Sequence, residues 1–243
     1  CRESQPGTPD EILDRAATSL KRLKTDHVDM FMLHNLDDPG LVLDEAAMKA
    51  FDKMRSDGMC RLVGVSTHQN QAAILDAAVA TKFWQAALVG YNYMSTQDVT
   101  DAIRRTREAG LAVIGMKNLL QITVHPRPPI AEFPKYTIKN ITPQQALLKW
   151  VLDDRYVDTV IPGMTSFEHL ADDLAVMCMP MSFGVRRTLY HYGEDRKGSF
   201  CRGVAGCTEC TGQCPNGVDI RSINRCVGYA HGYGDRDLAH ENY

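Results

Sequence analysis

The chain has 243 residues, is 44% hydrophobic and 23% charged, and its 27 Lys+Arg against 30 Asp+Glu leave a formal charge of −3. This is an ordinary globular composition with chain enough for one large core, and no apolar run approaches the roughly 18–20 residues of a spanning helix. With no dense basic run there is no footprint for a phosphate backbone, which excludes nucleic acid as an expected partner.

In chain order, Thr8-Pro9-Asp10-Glu11 reads as a capping box with Pro in the first turn. Ile12, Ala16, Leu20 and Leu23 then follow at helical spacing, so the first helix ends near Leu23. The apolar run from His27 to His34 is too short for a typical helix and reads as a buried strand. Alternation continues: helices are predicted near 43–57, 69–81, 96–109, 142–154 and 166–177, with strands at 60–67, 85–92, 111–117 and 157–162. Five buried strands alternating with helices predict parallel βα units. No G-x-G-x-x-G follows any of the strands, which favours a barrel-type arrangement over a Rossmann sheet. The connection 118–141 is long and carries Pro126, Pro128, Pro129 and Pro134; leaving the C-terminal end of a strand, it is a candidate lid, with a plain solvated loop as the alternative. His125 and Tyr136 within it, with Lys117 at its base, are candidates for a substrate pocket or are simply solvated.

Past Met179 apolar runs give way to Gly and Cys, and the segment from about 195 reads as a small separate module. Of the eight cysteines, Cys201, Cys207, Cys210, Cys214 and Cys226 crowd this region. The run Cys201-x5-Cys207-x2-Cys210-x3-Cys214-Pro215 matches the last two intervals and terminal Cys-Pro of a ferredoxin-type run, so a [4Fe–4S] cluster on these four thiolates is expected. Structural zinc and disulfides are the alternatives. Asp219 is placed to cap a helix with Ile220, Ile223 and Val227 inward. Cys226 falls mid-helix as a small hydrophobe and as the reserve ligand should Cys201 lie too far away.

Taken together, "SLKRLKTDHVDMFMLH", "RLVGVSTH", "VGYN", "GLAVIGMKNL" and "VIPGMTSFEHLADDL" resemble the aldo/keto reductase family, in its branch with a C-terminal iron–sulfur segment. The resemblance covers most of residues 9–178. It implies an α/β fold, the later part (strands 4–8) of a (β/α)8 TIM barrel over 1–180, followed by a small helical Cys-rich iron–sulfur module over 195–243. It implies an oxidoreductase that passes hydride between a nicotinamide and a small carbonyl or alcohol, with a redox partner for the cluster. The alternative is a catalytically inactive barrel serving as an iron–sulfur electron-transfer or scaffold protein. The family's Tyr, Asp and Lys belong to the first three strands, so this chain is expected to be part of a longer protein, and of the catalytic positions only His34 carries over, to orient the carbonyl oxygen. The start at Cys1 reads as internal, leaving the cytoplasm as the default location and export open.

Ser66 and Thr67 match the pair that holds the nicotinamide carboxamide, with Thr67 where the family has Asn. Met116 falls where many members stack a Tyr on the ring, and Leu88 where many place a Gln. Gly163, Thr165 and Ser166 lie in the segment matching the loop and helix start that cradle the adenosine phosphates. From Tyr156 to Val185 there is no Lys or Arg, and Asp172 and Asp173 add negative charge, so NAD(H) is expected over NADP(H).

Overall fold

The protein was analysed as a computed structural model, which describes residues 7–119, 138, 140–196, 210, 212–233, 236–241 and 243. Local chemistry sets the first element, α1 (Pro9–Leu23). The Thr8 hydroxyl accepts the Glu11 N–H, and the Glu11 carboxylate accepts the Thr8 N–H at 2.8 Å, so two otherwise orphaned donors are satisfied reciprocally. Ile12, Ala16 and Leu20 are buried, whereas Leu23, the last residue of the predicted stripe, is exposed because the helix runs past its core contact.

The remaining elements are β1 (Val28–Leu36), α2 (Pro39–Val42), α3 (Glu45–Ser56), β2 (Cys60–Thr67), α4 (Gln71–Thr81), β3 (Ala86–Gly90), α5 (Gln97–Glu108) and β4 (Ala112–Met116). They are followed by α6 (Pro143–Leu152), β5 (Thr159–Val160), α7 (Phe167–Ala175), α8 (Phe183–Arg196), α9 (Ile220–Val227) and α10 (Arg236–Glu241). The strands form one sheet in the order β1-β2-β3-β4-β5. The β1–β2 pair is parallel from Val28↔Cys60 to Leu33↔Val65, and β2–β3 is parallel from Gly64↔Ala86 to Thr67↔Val89. Strictly sequential order is what successive right-handed βα units produce, as in a stretch of a barrel. Gly64 is required by this pairing: a Cβ there would stand 2.7 Å from the Ala86 carbonyl oxygen.

Two compact units divide the chain. The first takes Cys1–Val89 and Asp98–Ile114. Val63, Val65, Ile74, Leu75 and Val89 are buried in it, as is Trp84, whose ring meets Phe51 edge-on at 5.3 Å and whose indole N–H donates to the Val42 carbonyl at 3.1 Å. The second unit takes Gly90–Gln97 and Gly115–Tyr243. There Leu119, Leu147, Leu148, Val176, Val185, Leu189 and Tyr192 form the core. α8 is absent from the predicted elements. It buries Val185, Thr188, Leu189 and Tyr192 at helical spacing, but a Thr and a Tyr in the stripe and paired arginines beside it mask the periodicity. The predicted strand at 157–162 shortens to two residues.

In α9, Asp219 does cap the helix, accepting the Ser222 N–H at 3.1 Å and the Ser222 hydroxyl at 2.6 Å. Val227, expected inward, is exposed instead, and the buried position is Cys226.

Candidate active site

In the first unit the ends of β1 and β2 lie side by side. The ladder slips between Leu33 and Leu36, where Asn35 adopts a left-handed conformation (φ 58). The slip turns the Asn35 N–H toward the Ser66 hydroxyl oxygen, 3.4 Å away, and leaves His34 exposed at the strand end. Ser66 and Thr67 are both buried. The Thr67 hydroxyl lies 2.7 Å from the Leu36 carbonyl oxygen and 2.5 Å from that of Gln69, and accepts the Gln69 N–H at 3.2 Å. With a single proton it donates to one carbonyl at a time, so its chemistry is spent on bracing β2 against β1. Leu88 pairs with Ser66 in the β2–β3 register and is half-buried.

Next to this pair stands a residue that the sequence reading left aside. The half-buried His68 presents its ring edge-on to His34, with ring centres 6.2 Å apart and planes at 84°. The available signal was "STH", which puts an imidazole one residue beyond a buried hydroxyl pair at a strand end.

In the second unit, Met116 is 6% exposed and its carbonyl accepts the Tyr91 N–H at 2.9 Å. Two fully buried asparagines lock the strand ends: Asn92 donates its amide to the Lys117 carbonyl at 3.1 Å, and Asn118 donates to the Tyr91 carbonyl at 2.9 Å. Lys117 between them is left-handed (φ 57). Asn92 closes the predicted strand 85–92 and Asn118 directly follows the predicted strand 111–117, and nothing local in the sequence marks either amide as bonded to another strand end.

The loop before α7 carries Gly163, Thr165 and Ser166. Ser166 caps the helix by accepting the His169 N–H at 3.2 Å, and the buried His169 takes the Thr165 N–H on Nδ1 at 3.3 Å. The Thr142 hydroxyl donates to Asp172 at 3.3 Å, so this carboxylate has a donor of its own within the unit. His125 and Tyr136 lie outside the described residues.

Cys201 and Cys207 also lie outside the described residues. Cys210 and Cys214 are half-buried free thiols and Cys226 a buried one, and among the described residues no three His, Cys, Asp or Glu converge as a metal-holding group. The expected [4Fe–4S] cluster is corrected accordingly. Ligand spacing along the chain is necessary for a cluster but does not by itself bring the sulfurs to one point, and the described cysteines belong to no group of three such ligands. Among the described residues no helix is long and apolar enough to cross a membrane.

A model of the aldo/keto reductase family matches residues 2–124. Among curated proteins, the chain is 25% identical over 174 residues to methylglyoxal reductase DkgB of Salmonella typhi and 24% identical over 173 to its Salmonella typhimurium counterpart. Each alignment covers 68% of this chain, which spans 60% of the length of those relatives. Among solved structures, the holo form of an aldo-keto reductase from Bacillus halodurans superposes with a TM-score of 0.59 at 18% identity, covering 75% of this chain and 67% of that one. An aldo-keto reductase from Klebsiella pneumoniae in complex with NADPH gives 0.57 at 23% identity, covering 73% and 63%. The NADPH complex overturns the expectation of NAD(H) over NADP(H). A stretch without Lys or Arg rules out only cations local in sequence, whereas folding places others in the same unit, such as the exposed Arg186 and Arg187 on α8.

Proposed function

This chain belongs to the aldo/keto reductase family, and we propose on that premise that it supplies the substrate-orienting histidine and the phosphate-holding loop of an NADP(H)-dependent reductase of small carbonyl compounds. The likeness to methylglyoxal reductases points to 2-oxoaldehydes as the substrate class. The observation that carries the reading is His34, exposed at the end of β1 beside the buried Ser66 and Thr67.

NADPH, when bound, supplies a hydride to the carbonyl carbon. The carbonyl oxygen would gain negative charge as its π pair localises, the His34 N–H would donate to that oxygen, an interaction stronger in the transition state than in the ground state, and the proton that completes the alcohol would come from water. Thr67 keeps the platform still by tying β2 to β1, and Ser66, whose oxygen already accepts the Asn35 N–H, turns its proton to the nicotinamide carboxamide.

In the second unit, taken by itself, the loop through Gly163, Thr165 and Ser166 leads the chain into α7. Because His169 and Ser166 occupy two donors there, the main-chain N–H groups of Phe167 and Glu168 are those that meet phosphate oxygens. The exposed Arg186 or Arg187 of the same unit would supply the charge for the additional ribose phosphate that distinguishes NADPH.

The test is NADPH oxidation by the full-length polypeptide with methylglyoxal. Activity with NADPH, and a fall of about 100- to 1,000-fold in kcat for His34→Phe with NADPH affinity unchanged, are expected for loss of one oxyanion donor. Absence of NADPH binding by fluorescence titration, or full turnover without His34, overturns the reading.

A further inference from the structure

We infer that Asn70 is a positioning residue of the reductase site: it forgoes capping its own helix and instead, with Ser66 and Thr67, holds the left-handed turn that follows His34. The inference rests on the carbonyl-reductase reading above. Pairing of β1 with β2 is in step as far as Leu33↔Val65 and resumes one residue out of step at Leu36↔Thr67. Across that slip three successive residues are held by side chains. The Ser66 hydroxyl oxygen accepts the Asn35 N–H at 3.4 Å, the Thr67 hydroxyl lies 2.7 Å from the Leu36 carbonyl oxygen, and the Asn70 amide donates to the Asp37 carbonyl at 3.1 Å. All of these residues belong to the first unit. Side-chain bonds thus stand where a bulge has interrupted the ladder.

Asn70 occupies the N-cap of α4, a position from which an Asn side chain ordinarily accepts an N–H of the first helical turn. It makes no such bond: its backbone is left-handed (φ 51) and its amide is given to Asp37, 33 residues earlier in the chain. The caps of α1 and α3, Thr8 and Asp44, do accept first-turn N–H groups. A bond of that span does nothing for the first turn of α4. What it holds is the turn beginning at Asn35, itself left-handed (φ 58), a conformation that Asn and Gly tolerate and β-branched residues do not. His34 is exposed, so surrounding side chains restrain it little and the backbone that follows it carries the burden of placing it. Catalysis by a single donor depends on such placement.

The experiment separates placement from capping, in the full-length polypeptide. Asn70→Asp keeps the shape, replaces the donor with an acceptor and sets a negative charge at the start of α4, where the helix dipole favours it. It is expected to lower kcat for methylglyoxal about fivefold, with KM for NADPH within about twofold and no fall in the thermal midpoint. Retained kcat overturns the proposal, and so does a midpoint that falls together with kcat, since Asn70 would then serve only the fold. Asn35→Gly, which takes up the left-handed conformation freely, is expected to stay within about twofold of the parent, and Asn35→Val to lose about tenfold; equal behaviour of the two overturns the role of the turn. A second readout does not need turnover. The imidazole proton–nitrogen signals of His34, assigned by their loss in His34→Phe, are expected to move in Asn70→Gly, which removes the amide without adding charge. Unmoved signals overturn the proposal. If the parent protein reduces no methylglyoxal, the reductase reading fails and these signals alone decide whether Asn70 places His34.

Discussion

The ends of β1 and β2 in the first unit and the start of α6 in the second both bury polar side chains, with opposite completeness. Ser66 and Thr67 are inaccessible and their hydroxyl oxygens are bonded across the strands. Gln144, equally inaccessible in α6, has neither amide atom paired, and the Asn118 Oδ1 is likewise without a partner. A satisfied buried hydroxyl contributes about 1 kcal/mol and defines geometry, while an unsatisfied amide costs about 1–3 kcal/mol. The first region is therefore a rigid platform suited to holding imidazoles. The second retains a cost that the packing of α6 against its neighbours offsets.

The contrast can be broken most severely at Gly64. Gly64→Val drives side-chain atoms into the Ala86 backbone 2.7 Å away and is expected to cost about 3 kcal/mol, read as a lower urea midpoint; an unchanged midpoint would mean that β2 and β3 can part without penalty. Next comes Thr67→Val, which keeps shape and removes the brace, for a loss of about 1–3 kcal/mol with Thr67→Ser restoring most of it. In the second unit the sign reverses: Gln144→Leu is expected to raise stability by about 1 kcal/mol, and a drop would show that ordered water completes the amide.

The smallest effect lies on the surface. The Thr8 backbone N–H, and then the Thr8 hydroxyl, hold the Glu11 carboxyl below its ordinary pKa. A carboxyl depressed on folding stabilises above its unfolded pKa, and that contribution is lost as pH falls through the folded value. The stability difference between the parent and Glu11→Gln should therefore be present at pH 6 and fade on acidification below the carboxylate range, followed by circular dichroism.

Much of the architecture was legible along the chain. α1 announces itself through its capping box, and β2 falls on the predicted 60–67, because caps and short apolar runs between turn residues are local signals. α8 was not legible, since Thr188 sits inside its buried stripe and only packing against the Leu147–Leu148 core decides that the segment is helical. Of the proposed site, what was legible is that His34 falls near the end of a strand. His68, Asn92 and Asn118 were not, because an isolated polar residue after a strand looks the same whether it caps a turn, locks a neighbour or faces a ligand. The cysteine run is the opposite case, a strong local pattern for which no group of three metal-holding side chains stands among the described residues.

The sequence by itself determined the start of α1, the run that becomes β2 and the alternation of helices and strands over 9–160, for these depend on interactions within a few residues. Only the tertiary structure decided which polar groups meet: the bracing by Thr67, the edge-on pair of His34 and His68, and the unpaired amide of Gln144. Those outcomes depend on distances between residues far apart in the chain, and such distances exist only after the strands have taken their register.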